Sequence, residues 1–475
     1  TPSTCAEASA DTTHLRRGFG GYHPPSPKAS AYTMRSILIL GAGRSASSLI
    51  QYLIDHAREQ QWRVTVADKD ADHARKLTGT ANDAAEGIAL DATDADARAM
   101  LIAKHDLVIS MLPAFMHMDV LKDCLRLRKH VITPSYVPDA LWALDAEFKQ
   151  AGLIVLNEMG LDPGIDHMSA MRILDRIRAM GGTMEAFESY CGGLVAPESD
   201  DNLWGYKFSW NPRNVILAGA GGSAKYIENG ITKYIPYHKL FQRTSRIDVP
   251  GFGAFDGYAN RDSLKYRSHY GIDGIPTMKR GTLRKGGFCT AWDCFVQLGC
   301  TDDGFIMELG TDATWNDYIH AFLPSVADRD ARAGLAHYLG LEPEGTVMKM
   351  LDELRIFSNE RIGRTGLSPA GLLQHLLEQR WVLGPEDKDL VVMWHRFSYS
   401  HEGTSHGIHA SLVVVGQDQV HTAMARTVGL PIAMACKLVF NNGINDRGVL
   451  LPLKPGIYLP VLDELERIGV VFHER

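Results

Sequence analysis

The chain has 475 residues, 45% hydrophobic and 22% charged, with 45 Gly and 21 Pro, a composition that excludes coiled-coil, collagen-like or wholly disordered architecture. Lys and Arg number 49 against 56 Asp and Glu, a formal net charge of −7, which leaves no electrostatic footprint for nucleic acid or an anionic membrane. At roughly 100–200 residues per domain the length allows two to four domains.

Residues 1–33 set Pro24, Pro25 and Pro27 among Ser, Gly and His without apolar periodicity. They read as a flexible leader, either an upstream extension or a transit peptide, with ordered structure beginning at Met34. The apolar run Ser36–Leu40 has the length of a buried parallel strand. It leads into Gly41-Ala42-Gly43-Arg44-Ser45-Ala46, an amphipathic helix over 47–58, and a second strand, Trp62–Ala67, that ends on Asp68 and Lys69. Strand, glycine turn, helix, strand and acid together predict a dinucleotide cradle. Gly41 permits the turn, Gly43 lets a pyrophosphate approach the backbone, and Ala46 lets helix and strand pack closely. Asp68 is placed to accept from ribose hydroxyls and to repel a 2′-phosphate, which favours NAD, while Lys69 leaves NADP open. Gly219–Ala224 matches the same glycine pattern but lacks the following helix, strand and acid, so it reads as a loop.

Further strands at Leu107–Ser110, His130–Thr133 and Leu153–Leu156 continue the alternation with helices and predict a doubly wound parallel α/β sheet. Ligands bind at the C-terminal ends of such strands. There the chain places Ser110, Leu112, Pro113, Ser135, Tyr136, Asn157, Glu158 and Asp162. Beyond them, alternating stretches at Glu185–Leu194, Arg246–Val249, Cys289–Leu298 and Leu390–Val415 predict a mixed α+β substrate domain, with Val391–Phe397 and Ala410–Val415 as a hairpin. Residues 311–385 show helical spacing and read as a helical insertion. A large antiparallel sheet would suit a homodimer interface. Seven scattered cysteines, an odd number without a dense framework, predict reduced thiols and a cytoplasmic location. Cys289, Cys294 and Cys300 read as core thiols, and His395, His401, His406 and His409 as turn-region histidines rather than metal ligands. No stretch is expected to reach the roughly 18 apolar residues of a membrane span.

Several blocks then resemble the saccharopine dehydrogenase (L-glutamate-forming) family, also called saccharopine reductases. They are Asn157–His167 (NEMGLDPGIDH), Ser189–Leu194, Gly205–Trp210, Gly257–Ser263, Arg280-Gly281-Thr282-Leu283-Arg284, Thr422–Pro431 and Arg447–Leu450. The resemblance implies reversible oxidation of saccharopine to L-glutamate and 2-aminoadipate 6-semialdehyde with NAD or NADP. It implies Ser135, Tyr136, Asp162, Arg261, Thr282, Leu283 and Arg284 on the substrate, with Asp162, Cys191 and Tyr136 at the reacting centre. Arginines suit a substrate with three carboxylates, and both the amine's proton loss and the imine's hydrolysis call for acid–base help. NADP-using members carry a Cys-Arg pair where this chain has Asp68-Lys69. The implied domain plan is 34–159 with 423–475 for the nucleotide, 160–310 with 386–422 for substrate and dimerisation, and 311–385 as the insertion. Two other readings stay open: a relative acting on another secondary amine or amino acid (a carboxylated polyamine, or lysine 6-dehydrogenation), and a non-catalytic dinucleotide-binding scaffold.

Overall fold

The computed structural model describes residues 34–79, 83–220, 222–324 and 330–475; the predicted leader lies outside the described residues. The first strands are β1 (Arg35–Leu40), β2 (Trp62–Asp68), β3 (Ala85–Ala89), β4 (Leu107–Ser110), β5 (His130–Ile132) and β6 (Ile154–Leu156). They pair in parallel, joined at one edge by Gly448–Leu450, which runs alongside β6. Ile37 to Leu40 are fully buried, as strands covered by helices on both faces must be. The Ser47–Gln60 helix packs beside a late helix, Ala423–Phe440. Gly429 makes that approach possible, since a Cβ there would lie 2.8 Å from the Leu49 nitrogen.

The second sheet is built from β7 (Thr183–Val195), β8 (Ala224–Glu228), β9 (Ile231–Ile235), β10 (Ser245–Val249), β11 (Gly253–Ala259), β12 (Thr277–Lys285), β13 (Asp389–His401) and β14 (Thr404–Val415). Its spine runs β10-β11-β12-β7-β13-β14, mostly antiparallel, with β12 and β7 parallel and the β8–β9 hairpin hanging on β12. The β13–β14 hairpin contains the predicted pairing and extends it to the turn at His401–Thr404. The edge strand Gly448–Leu450 is β15, and β16 (Phe472–Glu474) pairs with β14. The C-terminal segment therefore serves both sheets rather than the nucleotide lobe alone.

Three expectations need correction. Cys289–Leu298 is not a strand but lies in the Phe288–Leu298 helix. Its buried residues form two pairs, a triplet and a single residue (288, 289, 291, 292, 294–296, 298), the pattern of a helix covered nearly all round, which a short apolar aromatic run does not reveal. Second, the Ala423–Phe440 helix is long and apolar enough to qualify as a membrane span, although 78% of it is buried inside the protein. Third, His395 lies not in a turn but fully buried in β13. The region between 311 and 385 does supply helices, whose apolar faces join Trp204, Phe288, Trp292 and Trp381 in a separate aromatic core.

Candidate active site

The glycine turn is shaped for a dinucleotide. Gly41 has φ +99°, and a Cβ there would meet the Met111 carbonyl oxygen at 3.1 Å and Leu112 Cδ2 at 3.5 Å. Around Gly43 nothing lies within 4 Å. The following helix begins at Ser47 behind Ala46 with no side-chain cap, which leaves backbone N–H groups for a phosphate. Asp68 accepts from the Ala42 N–H (2.6 Å) and the Asp70 N–H (2.9 Å). Both of its oxygens thus hold turns, a structural task that the sequence does not disclose. Lys69 is exposed, Ser45 half-buried, and Arg44 reaches across to donate to the Phe208 carbonyl at 3.0 Å.

At the ends of β4 and β5, His117 stands between two serines. Its Nδ1 is 2.8 Å from Ser110 Oγ and its Nε2 2.7 Å from Ser135 Oγ. Burial lowers its pKa to about 4, so the ring is neutral near pH 7. Leu112 is half-buried and Pro113 exposed at the mouth of the same loop.

Next to Ser135, the Tyr136 hydroxyl donates to Asp162 Oδ1 at 2.9 Å, while 45% of the residue remains exposed. Burial of that hydroxyl end and the neighbouring Asp162 carboxylate push its pKa well above the ordinary tyrosine value. Arg280 Nη2 bonds the same Asp162 Oδ1 at 3.1 Å and also bonds Asp166, and its guanidinium lies 4.7 Å from the Tyr266 ring centre. Beneath this, Glu158 accepts from the Val137 N–H at 3.0 Å, sits 2.8 Å from His167 Nε2, and accepts from the Tyr266 hydroxyl at 2.9 Å. Burial pushes the Glu158 pKa up, but these bonds outweigh it and hold the carboxyl below its ordinary value. His167 Nδ1 meets the Tyr270 hydroxyl at 2.5 Å. His167 is therefore part of a buried polar network.

Cys191 on β7 pairs across to Thr282 on β12 and Met393 on β13. Burial and the Asp162 and Asp166 charges raise its thiol well above the ordinary value, so it packs as a thiol and is no ready nucleophile. Thr282 donates to Asn260 Oδ1 at 2.8 Å. Leu283 points to the opposite face, into the Tyr190–Trp394 core. Arg284, 3% exposed, lies over the rings of Tyr206 (5.2 Å) and Phe288 (5.4 Å); its Nη1 donates to the Leu283 carbonyl, its Nε has no partner, and no carboxylate answers it among the described residues. Arg261 is exposed after β11, and its side chain makes no hydrogen bond or ion pair among the described residues. Glu158 was placed among the strand-end residues by the sequence, whereas Arg280 and Asp166 were visible in the sequence but not assigned to the site. Alternation along β12 was the available signal, because 280, 282 and 284 must share one face.

A parallel sheet with an uncapped glycine turn, next to a charged pocket carried on a second mixed sheet, defines a nicotinamide dinucleotide-dependent oxidoreductase. Residues 37–156 match the saccharopine dehydrogenase NADP binding domain, and residues 160–470 the saccharopine dehydrogenase C-terminal domain. Saccharopine dehydrogenase [NADP(+), L-glutamate-forming] of Pyricularia oryzae is 35% identical over 93% of this chain and 99% of its own. The mouse mitochondrial alpha-aminoadipic semialdehyde synthase is 32% identical over 94% of this chain and 48% of its own. The solved apo saccharopine dehydrogenase (L-Glu forming) from Saccharomyces cerevisiae superposes with a TM-score of 0.82 at 33% identity, covering 93% of this chain and 99% of that one. The chain belongs to the saccharopine dehydrogenase family.

Proposed function

We propose that this chain oxidises saccharopine to L-glutamate and 2-aminoadipate 6-semialdehyde, or runs the same reaction in reverse, in lysine metabolism. Arg284 carries the reading: a buried guanidinium beside the reacting centre with no anion of its own is a receptor for a ligand carboxylate. Arg261 at the rim, with Thr282 and the Leu283 backbone, would hold the others, and Ser135 and Tyr136 the substrate's near end. The Gly41–Ala46 turn with Asp68 and Lys69 would hold the dinucleotide, and Ser110, Leu112 and Pro113 would border its nicotinamide. The bound nicotinamide supplies the hydride acceptor. Asp162 and Tyr136 orient the substrate nitrogen and the hydrolytic water, with Cys191 packed beside the reacting carbon and no covalent enzyme intermediate.

For the cofactor's finer identity we keep NAD, because the Asp68 carboxylate at the end of β2 would repel a 2′-phosphate. Nicotinamide reduction by saccharopine, run in parallel with NAD and NADP, tests both statements. No rate with either overturns the activity, and a lower KM for NADP than for NAD overturns the preference. A cytoplasmic homodimer is the accompanying proposal. The six described cysteines, all unpaired and buried, support the compartment, and light scattering after size exclusion tests the dimer.

A further inference from the structure

Two carboxylates share Arg280, and they share it unequally. Asp166 is sealed, with a side chain 1% exposed: Oδ1 accepts the Gly164 N–H at 2.6 Å, Oδ2 takes Arg280 Nη2, and His167 Nδ1 stands 3.4 Å from the same oxygen. Asp162 is 16% exposed. Both of its hydrogen bonds, from Tyr136 and Arg280, fall on Oδ1, so no described residue engages Oδ2. The guanidinium is thus committed inward to Asp166 and offers Asp162 a single longer bond.

We propose that Asp166 and Arg280 are positioning residues that hold Asp162 as the proton acceptor for the substrate's secondary amine, with Oδ2 as the accepting atom. This rests on the saccharopine reading above. In the oxidative direction the substrate's secondary ammonium gives one N–H proton to Asp162 Oδ2. The nitrogen lone pair so freed forms the C=N bond as the C–H electron pair leaves as hydride for the nicotinamide. Water then adds to the carbon and collapse of the adduct releases the amine; the net proton of the reaction leaves through Asp162 to solvent. An acceptor must be ionised yet not locked in an ion pair, and two carboxylates facing one cation separate those duties. The groups around Asp162 act in opposing directions. Burial and Asp166 raise its pKa, while Arg280, the Tyr136 hydroxyl and His167 lower it, with a net rise. Asp166 is held below its ordinary value, its burial being outweighed by His167, Arg280 and the Gly164 N–H, with His395 adding a smaller effect. Cys191 and Tyr270 face the same cluster and stay neutral, their pKa values raised by burial.

The test is the pH profile of kcat/KM for saccharopine oxidation. The wild-type enzyme should lose activity below an acidic limb lying above the ordinary aspartate range. Asp166→Asn removes the like charge and frees Arg280 for Asp162, so the limb should move down by about one pH unit. Arg280→Gln removes the cation, so the limb should move up. Opposite shifts in the two variants, with dinucleotide binding retained by fluorescence titration, support the proposal. Any one of three results overturns it: a wild-type profile without such a limb, a limb that stays put in whichever variant still binds dinucleotide, or shifts of the same sign. Total absence of wild-type turnover with saccharopine would instead overturn the function proposed above, so the two failures are distinct.

Discussion

Arg280 and Arg284 lie four residues apart on one face of β12 and are equally buried, at 4% and 3% exposure, yet their surroundings are opposite. Arg280 is answered by Asp162 and Asp166, both through Nη2. Arg284 lies among Tyr206, Tyr258 and Phe288 with its Nε unpartnered. A buried cation costs several kcal/mol unless it is answered, so the first is wiring that holds the folded protein together, and the second, under the function proposed above, would be a cost accepted in exchange for binding. Burial and residue type alone would have assigned them the same role.

The contrast can be broken by substitution. Arg284→Met should raise the saccharopine KM about 100-fold or more, the loss of a desolvated ion pair worth about 3 kcal/mol, while the melting temperature of the free protein stays level or rises. A fall in Tm without a KM change would erase the distinction. Arg280→Met should do the reverse first, destabilising by about 3–5 kcal/mol because two buried carboxylates lose their partner, as measured by urea unfolding.

His395 sharpens the wiring side. It is buried against Phe472, bonded to Ser169 Oγ at 2.8 Å, and burial lowers its pKa to about 4. An unfolded histidine titrates near 6.5, so between about pH 6.5 and 4 the unfolded chain binds a proton that the native state refuses. Stability should therefore be full above that window and fall as the pH drops through it. His395→Phe should flatten the slope of Tm against pH between 4 and 6.5, although His117 keeps part of it. The smallest expected effect on folding is at the rim. Arg261→Ala should leave stability within about 0.5 kcal/mol while raising the saccharopine KM and sparing dinucleotide affinity in titration.

The nucleotide half was legible because each step there is local: an apolar run, Gly41 where a side chain would meet the Met111 backbone, Gly43 facing open space, an amphipathic helix, then Asp68. The second half was legible as pairing in the hairpin but not in Cys289–Leu298, where a helix buried on nearly every side loses the periodicity that identifies it. Within the site, motif resemblance singled out Asp162, Tyr136 and Cys191, which the structure brings near one another. It did not reveal that Glu158, Asp166 and Arg280 complete the network, because a charge's partner depends on contacts between residues more than a hundred positions apart, such as Arg280 with Asp162 and Glu158 with Tyr266. The bonds that Asp68 accepts are local, from Ala42 and Asp70, but residue spacing does not say which atoms an acid at a strand end engages.

The three-residue strand β16 looks like an afterthought, yet it works as a stopper. Phe472 lies flat against the His395 ring, 5.5 Å between centres and 11° from parallel. Behind that ring come Ser169 and the charged cluster of Asp166 and Arg280. A chain trimmed before Phe472 would open a side door for water into the cluster and bare the edge of β14 to any passing strand. The few residues of β16 thus back the Asp166–Arg280 cluster through a single stacked ring.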